Sequence, residues 1–328
     1  MLFSFIIPLY NCEDYISHCL DCILSSQLSE DEYEIIIIDD ESIDNGPKIC
    51  QEYAEQHPQI HLYHQENDGP ATARNLGLLH AQGDFIWFID ADDLIEPKII
   101  QQVLQVIQER PNVELLSFAY IEQYPEKNNT HRLVKSQTIC NGVEFLEMKG
   151  GYYIWNNIYH RQSIGDVRFV NGVRHIEDSC FNTQTIIDFK EVVILPDVGY
   201  YYNRKNIHSI SHDKRLRDRV KANEDSFIVY QTLFQELKNT TDEAKKAYLN
   251  KELHFSIAAH LYTMMRFDNA RTIKRYIEAY RKMGFYPLKP TGNRKSDLFI
   301  RMANHERLFF FILHLIKKAA KYQKPKRT

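Results

Sequence analysis

Two carboxylates one residue apart, Asp90 and Asp92, close the stretch Asp84-Phe85-Ile86-Trp87-Phe88-Ile89-Asp90-Ala91-Asp92-Asp93. At that spacing both side chains can aim oxygens at one hard cation, and Mg²⁺ or Mn²⁺ takes such ligands alongside substrate phosphates. The apolar run before them suits a strand covered on both faces, so the acids must emerge where the strand ends. In open α/β sheets ligands bind at that carboxyl edge. A solvated acidic turn capping the next helix would also use an Asp-x-Asp, so the flanking chain has to decide. It offers Pro8-Leu9-Tyr10-Asn11, then Asp39-Asp40, then the loop from Asn67 to Asn75 with Gly69 and Arg74. Gly69 lets backbone approach a ligand, and Arg74 adds a charged donor. An Asp acceptor can read the N–H face of uracil while a metal holds a diphosphate. Together these clusters describe a nucleotide-diphosphate pocket. The Gly-x-x-x-x-Gly-Lys-Ser/Thr loop and the Gly-x-Gly-x-x-Gly fingerprint are both missing, which argues against an ordinary nucleoside triphosphatase or dehydrogenase site.

The elements that must position these groups alternate. Ser4 to Leu9 reads as a strand stopped by Pro8 and Asn11, and a helix follows from Asp14. Glu34 to Ile38 is a second strand, with a helix from Asp44 to about His57. Ile60 to His64 is a third strand, and Ala71 to Ala81 a helix that precedes the Asp84 strand. A helix from Pro97 to about Arg110 and a strand from Val113 to Tyr120 come next. Such alternation implies βαβ units and a mostly parallel sheet flanked by helices, an α/β fold. The second half is less regular. Glu122 to Thr138 is polar. Glu144 to Lys149 and Tyr153 to Tyr159 look helical, and Asn171-Gly172 signals a hairpin within Val167 to Val173. A helix is expected from Glu177 to Phe189, with short strands at Val192 to Leu195 and Tyr200 to Tyr202. From Leu216 the chain is almost wholly helical, broken at Gly284 to Pro290 and near Gly292. The expected division is a nucleotide-binding and acceptor domain over 1–212, split near 120, and a helical region over 213–328.

The chain has 328 residues and a formal net charge of −4. That balance is uneven. Arg271 to Thr328 holds 16 Lys/Arg against 3 Asp/Glu, a net of +13, so the preceding residues carry −17. The segment Leu308-Phe309-Phe310-Phe311-Ile312-Leu313-His314-Leu315-Ile316 leads into Lys317, Lys318, Lys321, Lys324, Lys326 and Arg327. An apolar face beside clustered Lys fits an interfacial helix on an anionic membrane, the alternative being a core helix with a solvated basic end. No apolar run approaches the roughly 20 residues of a membrane span. Met1 to Pro8 lacks a signal-peptide pattern, and a reducing cytoplasm suits six cysteines without a disulfide framework. Cys19 and Cys22 lack the second pair of a zinc site and read as core packing on a helix. No nucleic-acid partner is expected.

Four ordered motifs resemble family 2 glycosyltransferases of the GT-A fold. They are Ser4-Phe5-Ile6-Ile7-Pro8-Leu9-Tyr10-Asn11, Ile38-Asp39-Asp40-Glu41-Ser42-Ile43-Asp44, Asn67-Asp68-Gly69-Pro70-Ala71-Thr72-Ala73-Arg74-Asn75-Leu76-Gly77, and Phe88-Ile89-Asp90-Ala91-Asp92-Asp93. Glu41 departs from the family, which usually has Gly there. The resemblance implies that Pro8, Tyr10 and Asp40 line the nucleoside pocket with Asp39 beside them. It implies that Arg74 touches base or phosphate, that Asp90 contacts ribose or metal, that Asp92 ligates Mn²⁺ or Mg²⁺, and that Asp93 is a helix cap or support. In the second half, Arg174-His175-Ile176-Glu177-Asp178 resembles the family's Glu-Asp pair, whose Asp is the catalytic base. A neighbouring Glu177 would raise the pKa of one carboxylate by like-charge repulsion. Trp155 to Arg161 resembles the Trp-bearing segment before the base, where Trp155 could stack on a sugar or pack in the core. Tyr202-Asn203-Arg204 and His208-Ser209-Ile210-Ser211 resemble the segment that closes over the diphosphate, with Arg204 and His208 as candidates.

These readings imply an inverting, metal-dependent transferase taking a nucleotide sugar, a UDP-sugar being the expected donor. A glycan or lipid-linked glycan of the cell envelope would be the acceptor, used at the cytoplasmic face of the membrane. A sugar-phosphate nucleotidyltransferase would share a related pocket, but Pro8 to Asn11 stands where its Gly-rich basic loop belongs. A non-catalytic nucleotide-sugar-binding module would not need Asp92 and Asp178.

Overall fold

The computed structural model describes residues 1–206 and 216–322, with the side chains of 216–218 and 319–322 set aside. The chain divides into two units, Met1–Asp225 and Ser226–Thr328. The boundary expected at residue 212 lies outside the described residues.

The first unit opens with β1 (Phe3–Leu9), α1 (Ile16–Leu24), β2 (Tyr33–Asp39), α2 (Gly46–Gln56), β3 (Ile60–His64), α3 (Pro70–His80) and β4 (Phe85–Phe88). The short β5 (Leu94–Ile95), α4 (Ile99–Glu109), β6 (Leu115–Gln123), β7 (Asn128–His131), β8 (Thr138–Cys140) and α5 (Gly142–Glu147) follow. Next come β9 (Asn157–His160), α6 (Arg161–Ile164), α7 (Glu177–Ile186) and β10 (Val192–Asn203). The described strands form one sheet in the order β3-β2-β1-β4-β9-β6-β10-β5, with β7 on β6 and β8 on β10. The pairs β1/β2, β2/β3, β1/β4 and β6/β10 are parallel, and β9 runs antiparallel between β4 and β6.

The continuous apolar runs make this sheet because both of its faces are covered. Every residue of β2 and of β4 is buried. The Trp87 indole lies within the core and donates from Nε1 to the Trp155 carbonyl at 2.8 Å. Helix α1 presents Ile16, Cys19, Leu20 and Ile23 to the sheet at helical spacing, which accounts for Cys19 as packing. Gly77 lets α3 lie against β1, because a Cβ there would meet Ile6 at 2.3 Å. That close approach sets the depth from which Arg74 reaches out.

Four local expectations are corrected. Pro8 does not stop the first strand. It pairs opposite Ile38 within β1, beyond the point where β4 runs alongside, so its missing N–H breaks no ladder on that side. Tyr153 to Tyr159 is not a helix, since Asn157–His160 forms β9 and fills the space between two strands. Aromatic and branched residues over so few positions satisfy either period, and the open sheet position decides. Val167 to Val173 forms no hairpin; its turn at Gly172, with φ +70°, connects irregular chain. The two short strands near 192 and 200 are one strand, β10, bulged near Val198.

The second unit holds the end of α8 (Leu216–Asn239), then α9 (Glu243–Phe267), α10 (Ala270–Lys282), α11 (Arg294–Asn304) and α12 (Glu306–Tyr322). Asp242, Asn269 and Asn293 cap three of these helices by accepting their first backbone N–H groups. Leu253, Ile257 and Leu261 of α9 share its core with Ile273 and Tyr280 of α10 and with Phe309 and Leu313 of α12. Among the described residues, no helix is long and apolar enough to cross a membrane.

Candidate active site

The loops that leave β1, β2, β3 and β4 meet at one edge of the sheet. After β1, Asn11 takes a left-handed conformation, and its Oδ1 accepts from the Ile43 N–H at 2.9 Å. Asp44 accepts from the Glu13 N–H at 2.8 Å, so the β1 and β2 loops hold one another. Glu41 sits at φ +63°, a backbone that favours glycine, which explains why the family's Gly belongs there. Pro8 lies near the end of β1, and Tyr10 just beyond that strand is 49% exposed.

Asp39 and Asp40 are both buried and both engaged. Asp39 accepts from the Ser42 N–H at 3.1 Å and meets His64 Nδ1 at 3.0 Å. Asp40 accepts from Gln65 Nε2 at 2.7 Å and from the Asp68 and Gly69 N–H groups at 3.0 Å each. Its carboxylate therefore shapes the Asn67 loop. Gly69 begins α3 at φ +89°, with Pro70 in the first turn. Arg174 reaches that loop from the second half and donates to Asn67 Oδ1 at 3.0 Å. Only its membership of a motif signalled it in the sequence.

Arg74 is the meeting point. Its Nη2 donates to Asp90 Oδ1 at 2.9 Å, and its Nη1 to Glu177 Oε1 and Asp178 Oδ1 at 3.1 Å each. The residue is 4% exposed. Burial works against its charge, but Asp178, Asp90 and Glu177 outweigh that and push its pKa up. Glu177 and Asp178 occupy the first turn of α7, where the helix dipole favours anions. Ile176 before them adopts φ +58°, a strained geometry for a branched residue. Burial pushes the Asp178 carboxyl above the ordinary carboxylate range; Glu177 and Asp90 add to this, while Arg74 and the Ile154 N–H oppose it.

Asp92 lies close enough to Asp90 to feel its charge. Asn206 Nδ2 donates to its Oδ2 at 2.7 Å, and burial with the adjacent Asp90 pushes its pKa up to about 6. Asp90 and Asp92 supply hard oxygen donors, and their mutual repulsion is what a dication would relieve. No group of three His, Cys, Asp or Glu side chains gathers to hold a metal among the described residues. The protein donors thus fit part of a shell that a diphosphate would complete. Asp93, expected as a helix cap or support, is buried. It accepts from Tyr200 Oη at 2.8 Å and from the Asn203 N–H at 2.7 Å, and Tyr200 Oη in turn accepts from the Asp90 N–H at 3.1 Å. Sequence reasoning missed Tyr200 and Asn206, and placed Asn203 only as a member of the Tyr202-Asn203-Arg204 motif; polar groups at the end of an aromatic strand were the signal for the other two.

Two expected site residues fall elsewhere, and a third is not described. Trp155 is 2% exposed and stacks on Tyr153 and Tyr200 at centroid distances of 4.5 and 4.6 Å. Its ring packs the core and offers no face to a sugar, which corrects the stacking expectation. Trp155→Phe should therefore cost about 1–2 kcal/mol of stability and leave acceptor KM unchanged. Urea unfolding beside steady-state kinetics checks this; a raised KM at unchanged stability would restore the sugar contact. Arg204 pairs with Glu122, donating from Nε and Nη2 at 3.2 and 3.1 Å, with its guanidinium over Tyr202. His208 lies outside the described residues.

Similarity to known proteins follows the same residues. The uncharacterized glycosyltransferase EpsJ of Bacillus subtilis is 28% identical over 238 residues, covering 67% of this chain and 68% of EpsJ. The poly(ribitol-phosphate) beta-N-acetylglucosaminyltransferase TarS of Staphylococcus aureus is 24% identical over 266 residues, 78% of this chain and 45% of TarS. The crystal structure of TarS residues 1–349 in complex with UDP-GlcNAc matches with a TM-score of 0.75 at 18% identity, covering 100% of this chain and 93% of that one. That likeness shows the GT-A fold. The Glycosyl transferase family 2 pattern matches residues 4–169. Since that match runs through every cluster from Pro8 to Asp92, the chain belongs to glycosyl transferase family 2 and is a glycosyltransferase.

Proposed function

We propose that the chain is an inverting transferase that moves a sugar from a UDP-sugar to a hydroxyl of a glycan or lipid-linked glycan of the cell envelope. The observation that carries this reading is the contact of one guanidinium with Asp90 on the donor side and with Asp178 on the acceptor side. UDP-GlcNAc and UDP are bound in solved TarS structures, and a B. subtilis relative is named for minor teichoic acid biosynthesis, which supports donor and pathway class. Asp178 takes the proton of the acceptor hydroxyl as its oxygen attacks the anomeric carbon. The bond from that carbon to the diphosphate breaks on the opposite side, so configuration inverts and UDP leaves. Asp90 and Asp92 would hold Mn²⁺ or Mg²⁺, which would supply neutralisation of charge on the diphosphate. Asn206 orients Asp92, and Arg74 holds Asp178 toward the cleft. Release of UDP across a panel of UDP-sugars is the test. If no UDP-sugar is turned over while another nucleotide sugar is, the donor assignment fails.

A membrane partner is favoured by α12. Leu308, Phe311 and Leu315 are exposed at helical spacing, Phe311 by 59%, while Phe309 and Leu313 pack inward. Exposed Arg307 and Lys318 flank this stripe, and the following residues are rich in Lys. The helix thus packs one face and keeps an apolar, cation-bordered face open, the chemistry of an anionic lipid surface. Each basic residue near such a surface adds about 1 kcal/mol. The variant F311S/L315S, which spares the packed face, should lose cosedimentation with phosphatidylglycerol vesicles and keep UDP binding. Wild-type binding should weaken with salt and on phosphatidylcholine vesicles. Binding indifferent to lipid charge and to the variant would assign the stripe to another role.

A further inference from the structure

The family resemblance implies that Arg74 touches base or phosphate, yet its surroundings do not suit a grip on phosphate. A phosphate-binding guanidinium keeps an edge of N–H donors open to the ligand. Here Nη1 donates to both Glu177 and Asp178, and Nη2 donates to Asp90. Nε is fully buried with no hydrogen-bond partner. The guanidinium lies over the Phe169 ring, its carbon 5.6 Å from the centroid. These partners come from three places in the chain: α3 carries the arginine, the turn after β4 carries Asp90, and α7 carries the two acids.

We propose that Arg74 is a positioning residue that fixes the acceptor-side Asp178 in register with the donor-side Asp90, and that it is not a ligand of the diphosphate. The inference rests on the transferase reading above. One planar fork reaching carboxylates on two elements transmits the position of each to the other, which a lysine's single ammonium cannot do. The acceptor oxygen must be deprotonated close to the anomeric carbon, and a misplacement of about 1 Å can cost about 10²-fold in rate. Aligning the base with the donor is the service Arg74 provides.

The test separates turnover from binding. In Arg74→Lys, hydrolysis or transfer of the wild-type enzyme's best UDP-sugar should fall about 100-fold in kcat, with donor KM within about threefold. UDP affinity measured by calorimetry in chelator should also stay within about threefold. Removing a cation in contact with three acids can unfold the protein, so the pair R74Q/E177Q keeps the local charge and should show the same split. A fall in UDP affinity that parallels the fall in turnover would make Arg74 a diphosphate ligand and overturn the inference. Wild-type kcat in either variant would overturn it too. Wild-type enzyme that turns over no nucleotide sugar but binds UDP equally with and without Arg74 would overturn the transferase reading, and leave Arg74 excluded as a diphosphate ligand.

Discussion

Asp178→Asn should lower transfer by roughly 10²–10⁴-fold, the usual scale of general-base catalysis, with UDP affinity unchanged. The amide keeps the shape of the carboxylate and an oxygen for Arg74 Nη1, which now lies 3.1 Å from Asp178 Oδ1. What it loses is the ability to take a proton. Folding should not suffer, because burial, Glu177 and Asp90 all disfavour the charged form at this position. The wild-type rate should carry the mark of the same environment. A base works deprotonated, so kcat falls as pH falls through its pKa. Since that pKa is raised, the acid limb of the profile should lie above the ordinary carboxylate range near 4. Glu177→Gln removes one like charge and should move the limb to lower pH. Kinetics over a pH series, with UDP calorimetry on each variant, make the check. Near-normal turnover of D178N would pass the base role to Glu177.

Asp92→Asn should abolish the response to divalent metal. A cation that stabilises charge on a leaving diphosphate contributes several kcal/mol, and each 1.36 kcal/mol is tenfold in rate, so the loss should be roughly 10²–10³-fold or more. Wild-type enzyme in excess chelator should fall to a similar level, and added Mn²⁺ should restore wild type but not the variant. Stability should hold or rise, since Asp92 as a carboxylate is opposed by burial and by Asp90. Asn can still accept from Asn206 Nδ2, so the end of β10 should stay in place. UDP calorimetry with and without Mn²⁺ complements the kinetics. Full transfer in chelator, or a D92N enzyme still stimulated by metal, would sink the assignment.

Much of this site was legible because its signals are local. Apolar runs at Glu34–Ile38 and Phe85–Phe88, short and bounded by polar turns, read as covered strands, and a carboxylate that follows such a strand emerges at the sheet edge. Spacing therefore determined the α/β class, the edge at which Asp39, Asp40, Asp90 and Asp92 gather, and the start of α7 at Glu177. The capacity of Cys19 for packing was equally readable, whereas the departure at Glu41 was visible only against the family resemblance.

Tertiary structure alone decided which partner each group takes. Arg74 lies 104 residues before Asp178, and no local pattern tells a guanidinium whether it will meet a phosphate or a carboxylate. Trp155 could have faced a sugar; the stack of Tyr153 and Tyr200 claims it, because a large ring gains most where both faces are covered. Asn157–His160 is a strand because a place stood open between β4 and β6, and Tyr200 braces Asp90 and Asp93 because β10 runs unbroken past its bulge. Periodicity reports which face of an element is buried; only the folded chain brings distant elements together and so selects what each buried group touches.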